Sequence, residues 1–137
     1  MAHWLLKSEP SAYSWTDLIR DRRTAWTGVR NHQAANNLRA MQVGDRAFFY
    51  HSNEGLAIVG AVEIVREAYP DPDDKSGRFV AVDVAPLAAA KTPVTLVQIK
   101  AEPRLKSLAL VRQGRLSVSP VSAVEWTLLC RMAGLKA

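Results

Sequence analysis

Two strand-like runs joined by a short turn constrain this chain more tightly than any other feature. Ala47-Phe48-Phe49-Tyr50-His51 and the stretch from Leu56 to Val65 are rich in aliphatic and aromatic residues, and Ser52-Asn53-Glu54-Gly55 between them has the chemistry of a β-hairpin turn. Gly60 inside the second run implies a bulge or bend, which a strongly curved sheet requires. The remaining segments are read around this hairpin. His3 to Lys7 is a short apolar strand closed by Ser8-Glu9-Pro10. Ser14 followed by Asp17 is a capping-box signal for a helix running to about Arg22, with Trp15, Leu18 and Ile19 on one face. After a Trp26-Thr27-Gly28 turn, Asn31 caps a second helix with Ala34, Ala35, Leu38 and Met41 on its apolar side, ended by Val43-Gly44-Asp45.

Beyond the hairpin, residues 69–77 read as an acidic surface loop with solvated carboxylates, followed by a strand from Phe79 to Val84. Pro93 to Lys100 begins as a strand or as a short helix capped by Thr95, and periodicity leaves both open. Leu116-Ser117-Val118 alternates like a strand, and Ser122 with Glu125 opens a final helix that Gly134 closes. Hairpins without regular βαβ alternation specify an α+β fold with a curved, mostly antiparallel sheet. With 137 residues, 48% of them apolar, the chain has ample material for one core, so residues 1–137 are expected to form a single domain.

Charge interrupts every apolar run before it reaches membrane-spanning length, so no membrane partner is expected. Residues 1–7 lack the features of a signal peptide, which leads to an expected cytoplasmic location. The single cysteine, Cys130, leaves no internal disulfide and no thiolate zinc cluster. Charge is unevenly distributed. Residues 1–86 hold ten Lys/Arg against eleven Asp/Glu, whereas residues 87–137 hold eight against two. The basic last third includes Lys91, Lys100, Arg104, Lys106, Arg112 and Arg115, an excess suited either to phosphate backbones or to plain solvation.

The dinucleotide, P-loop and serine-hydrolase signatures are absent, and His3, His32 and His51 have no metal-ligand spacing, so neither cofactor nor metal is expected. Lys7 and Glu9 share a strand face and form the best acid–base pair on offer, a structural salt bridge being the alternative. Recognition features are stronger. Trp26 offers a π-face, and Arg30 and Asn31 offer a guanidinium and an amide beside a glycine turn, so a base can stack on Trp26 while Asn31 reads its edge. The alternative places Trp26 in the core and leaves Asn31 as a cap. His51, Ser52 and Asn53 form a second polar cluster, and Arg112, Gln113 and Arg115 a third.

Taken in order, these segments resemble the EVE domain. The resemblance runs almost end to end. It rests on residues 4–10, Trp26 with Gly28-Val29-Arg30-Asn31, Phe48-Phe49-Tyr50-His51-Ser52-Asn53, Tyr69-Pro70-Asp71-Pro72, Leu110-Val111-Arg112-Gln113, Arg115-Leu116-Ser117-Val118 and Glu125-Trp126. It implies a PUA-like fold, a curved mixed sheet or pseudo-barrel with flanking helices, related to the YTH readers of methylated adenine. It also implies a non-enzymatic reader of a modified base, a 5-substituted cytosine in DNA or in RNA. A monomer is expected apart from the resemblance. By that likeness Trp26 stacks on the base while Lys7, Ser8, Asn31, His51 and Ser52 line its pocket and Arg30 lies at the mouth. Arg112, Gln113 and Arg115 lie at the mouth too by that likeness, and together with Lys100, Arg104 and Lys106 of the basic third they are expected to meet phosphates. Two positions depart from the family pattern: Ala35 stands where arginine is common, and Gly114 where serine is common. A PUA-like fold is also similar to small amidohydrolases of acylated cytidine. The competing expectation is therefore an enzyme acting on a modified nucleoside through Lys7 and Glu9. A protein-interaction module is the third reading.

Overall fold

A computed structural model describes all 137 residues, Met1–Ala137. The elements in chain order are β1 (His3–Ser8), α1 (Trp15–Asp21), β2 (Thr24–Trp26), α2 (His32–Ala40), β3 (Arg46–His51), β4 (Ala57–Pro70) and β5 (Val80–Thr95). They are followed by α3 (Leu96–Ala101), a single 3-10 turn at Pro103–Leu105, α4 (Ala109–Arg112), β6 (Val118–Val121) and α5 (Ala123–Ala133). The six strands form one mixed sheet in the order β2-β5-β4-β3-β1-β6. Only β1 and β3 run parallel; the other four pairings are antiparallel. The outer strands β2 and β6 do not pair with each other, so the curved sheet stays open rather than closing into a barrel.

Both faces of the sheet are covered, which explains why its central strands read as continuous apolar runs. Adjacent residues of a strand point to opposite faces. Leu6 and Phe49 therefore join Trp4, Trp26, Leu18 of α1 and Ala34, Ala35 and Leu38 of α2 in one core. Their neighbours Leu5, Phe48 and Tyr50 join Ile99 of α3, Leu105, and Trp126 and Leu129 of α5 in the other. Ala35 is fully buried, packed in the core that α2 shares with the sheet.

The local signals for helix starts are realised at α1, α2 and α5. Ser14 and Asp17 form a reciprocal capping box, as do Ser122 and Glu125, and the Asn31 carboxamide oxygen accepts from the Ala34 amide. The open question at Thr95 is resolved in sequence: the strand runs to Thr95, which then caps α3 through its own box with Gln98. Gly60 sits where register slips between β4 and β5, and the indole of Trp15 lies directly over it. A Cβ at this position would meet that ring at 2.5 Å, so the glycine admits α1 onto the bent sheet.

Three expectations are corrected. Ile19 is 49% exposed, because the short α1 packs through Leu18 and the indole of Trp15 instead. Residues 24–26 form an edge strand on β5, whose pairing partner is too distant in sequence to register locally. In the acidic loop Asp71 is not solvated: it is 2% exposed and accepts from the amides of Gly28 and Asp73 and from the Arg30 guanidinium. No helix is long and apolar enough to cross a membrane.

Candidate nucleic-acid interface

At the C-terminal end of β1 the chain leaves the sheet and turns toward α1, while β2 brings Trp26 alongside. Between them lies a cleft of about 370 Å³ whose walls include Lys7, Ser8, Tyr13, Thr24, Trp26 and Thr27. Trp26 is 7% exposed and stands edge-on to Phe49, with ring centroids 5.5 Å apart, so the core clamps it while leaving part of it to the cleft. The Ser8 hydroxyl donates to the Tyr13 carbonyl at 2.6 Å, tying the end of β1 to the segment before α1. Tyr13 in turn donates from its phenol to Asp21. Gly28 adopts the left-handed conformation, φ 82°, at the bend after Trp26.

Lys7 is the junction of the region. Its half-buried ammonium donates to the Gly114 carbonyl at 2.7 Å, and burial pushes its pKa below the ordinary lysine value. Gly114 and Lys7 both line a second, smaller cleft of about 180 Å³ that includes Tyr50, Ser52, Asn53 and Lys100. Gly114 also borders a third, of about 320 Å³, formed with Asn31, Gln33, Gln113 and Arg115. Lys7 thus lines the first and second hollows and Gly114 the second and third, so this one hydrogen bond links their walls. Asn31 spends its oxygen on the α2 cap, leaving its amide hydrogens as donors at the third cleft.

The residues singled out from the sequence thus fall into separate groups. Lys7, Ser8 and Trp26 meet in the first cleft; Ser52 and Lys100 lie in the second; Asn31, Gln113 and Arg115 lie in the third. His51 lines none of them. Its Nε2 accepts the Trp15 amide at 3.1 Å at the start of α1, and burial lowers its pKa. Arg30 is drawn away from the cleft by the Asp71 carboxylate at 2.9 Å and lies over the Phe79 ring. Arg104 pairs with Glu102 at 2.6 Å and faces a different hollow, against Thr127 and Arg131 of α5. Arg112 and Lys106 are exposed and line no cleft. Glu9 is exposed and forms no ion pair with Lys7; its backbone carbonyl instead accepts from the amides of Ala12 and Tyr13. No set of three or more His, Cys, Asp or Glu side chains is placed to hold a metal ion.

Tyr13, Thr24 and Thr27 were not singled out from the sequence. Tyr13 had a usable signal, since it immediately precedes the Ser14 cap and so had to lie at the mouth of α1. Thr27 had one in its place in the turn after Trp26, whereas Thr24 had none, because its position depends on the unrecognised pairing of β2 with β5.

Comparison with known proteins places this geometry in context. Residues 2–132 match the EVE domain. Thymocyte nuclear protein 1 of Gallus gallus is 39% identical over 158 residues, covering 90% of this chain and 65% of that relative, so the chain spans about two thirds of its length. A solved structure from Rhodopseudomonas palustris is 57% identical with a TM-score of 0.93, covering 98% of this chain and 94% of that one. The crystal structure of human THYN1 protein in complex with 5-methylcytosine-containing DNA is 33% identical with a TM-score of 0.91, and the two chains cover each other fully, at 100%. The vertebrate relatives bear the name of a nuclear protein, which overturns the cytoplasmic location expected from residues 1–7.

Proposed function

The chain belongs to the EVE domain family, and from that premise we propose that it reads a modified base in nucleic acid, holding a 5-substituted cytosine in the cleft beside Trp26. The observation that carries this reading is the cleft itself: an indole wall, a serine and a threonine hydroxyl, and a half-buried lysine, with Gln113 and Arg115 in an adjoining hollow. A flat base has a π-face for Trp26, edge groups for Ser8, Thr27 and Lys7, and phosphates for Arg115. The human THYN1 complex with 5-methylcytosine-containing DNA supports the choice of base.

The energetics are consistent with this. Extracting a base from a duplex costs a few kcal/mol. Stacking on one aromatic ring returns about 1–3 kcal/mol, and phosphate contacts supply the rest. The reader acts by binding alone. The Lys7–Glu9 pair on which an amidohydrolase would depend is not assembled, since Glu9 is exposed and forms no ion pair with Lys7.

The direct test is fluorescence anisotropy with single-stranded and duplex oligonucleotides that carry cytosine or 5-methylcytosine, with RNA of the same sequence as a parallel arm. The native protein should prefer the modified DNA. Trp26→Ala should bind both forms with equal, weakened affinity, a loss of about tenfold for the modified strand. Retention of full discrimination by Trp26→Ala would overturn the pocket assignment. Incubation with a panel of modified nucleosides should yield no product by chromatography.

A further inference from the structure

The other end of the β1–β3 pair holds a further cleft that shares no residue with those described above. It has a volume of about 360 Å³ and lies between β4–β5 and the end of α5, with walls from Arg46, Leu87, Lys91, Trp126, Leu135 and Lys136. Three cations line it and no carboxylate does. Glu63, opposite Arg46 across β3 and β4, forms no ion pair with it. Trp126 is only 2% exposed and stacks with His3, ring centroids 4.4 Å apart, and with Phe48, 4.0 Å apart.

Two buried side-chain polar atoms in the whole protein lack a hydrogen-bond partner, Arg46 Nε and Trp126 Nε1, and both belong to residues of this one wall. Buried donors without acceptors are rare in folded proteins because each forfeits its hydration. The cleft is also built rather than incidental. Gly134 ends α5 in the left-handed conformation, φ 70°, and a Cβ there would lie 2.9 Å from Lys91 Cβ, so the glycine sets how closely the helix end approaches β5.

We propose that this cleft binds a small amphipathic carboxylate, its apolar body against Leu87 and Leu135 and its carboxylate at Arg46, with Lys91 and Lys136 at the rim. The lining side chains carry three cations and no acceptor, so an occupant that brings negative charge and acceptors of its own matches them. A guanidinium matches a carboxylate as a two-pronged fork. The apolar surface of Leu87 and Leu135 selects an alkyl or aryl acid over an inorganic anion, and the volume falls within the roughly 300–1,000 Å³ of small-molecule sites.

The test uses the full chain and three probes: octanoate, octanol and inorganic phosphate, followed by two-dimensional ¹H–¹⁵N NMR. Octanoate should shift the Trp126 indole N–H and the amides of Leu87, Ala88 and Leu135 saturably, while octanol and phosphate at equal concentration should not. Arg46→Gln should weaken octanoate about tenfold. Leu87→Glu, at a position 44% exposed and therefore tolerant of substitution, should abolish binding by placing a carboxylate at the rim. The proposal is overturned if octanoate leaves the Trp126 indole unmoved at millimolar concentration. It is overturned equally if octanol or phosphate reproduces the shifts, or if Leu87→Glu binds octanoate as well as the native protein.

Discussion

At the scale of single residues, His51 and Asp71 show how polar side chains here serve the frame around the cleft. His51 accepts the Trp15 amide, a role open only to an imidazole with an unprotonated Nε2. Burial lowers its pKa in the folded state, so below the ordinary histidine value the unfolded chain binds the proton more readily. Its contribution to stability is therefore complete above about pH 6.5 and is lost as pH falls through the lower folded value. His3 is shifted the same way, by burial and then by the positive charges of the N-terminus and Arg46. Urea midpoints measured between pH 7.5 and 5 should accordingly decline. His51→Gln should remove part of that decline and leave the part due to His3; an unchanged slope would show that His51 does not titrate as its contacts require. For Asp71, burial alone would raise the carboxyl, but the Arg30 guanidinium and the Gly28 and Asp73 amides outweigh it and hold the pKa below the usual range. The carboxylate thus pins the turn that follows Trp26.

At the scale of elements, α1 meets the bend of β4 in a close contact behind the wall that Trp26 gives the cleft. Gly60 leaves just enough room for the Trp15 indole, which also stands edge-on to Phe49, the ring that backs Trp26. Gly60→Ala should therefore destabilise the protein by about 1–3 kcal/mol, the ordinary cost of forcing a methyl group into a packed interior. Chemical denaturation measures this directly. In a Trp15→Leu background the same substitution should cost clearly less, because the clashing ring is gone and the two changes are coupled. Additive costs would mean that the clash is relieved elsewhere.

At the scale of the whole molecule, the basic last third is not one uniform patch. Arg115 borders the cleft of Asn31 and Gln113, beside the Gly114 that holds Lys7, whereas Arg104 is paired with Glu102 and turned toward α5. Arginines close in sequence are thus expected to behave differently toward nucleic acid. Titrations at several salt concentrations should show Arg115→Ala weakening modified and plain strands alike and reducing the slope of log K against log salt by about 1 for the lost phosphate contact. Arg104→Ala should leave both affinity and slope unchanged. Equal effects of the two substitutions would indicate that binding follows net charge rather than the clefts.

The sequence by itself determined the elements whose causes lie within a few residues. Ser14 with Asp17, Asn31 with Ala34, and Ser122 with Glu125 each started a helix, and Gly60 marked the bend, because caps, turns and bulges are settled by neighbours along the chain. It also placed Lys7, Ser8 and Trp26 among the residues to watch. Which of the polar residues actually meet was decided only by the tertiary structure. Lys7 bonds to Gly114, 107 positions away, and Asp71 reaches Gly28, 43 positions back, while Arg30 and His51 are drawn into structural contacts. Those partnerships depend on strand order, on the parallel pairing of β1 with β3, and on the edge strand β2. All three arise from packing between segments whose local patterns carry no record of one another.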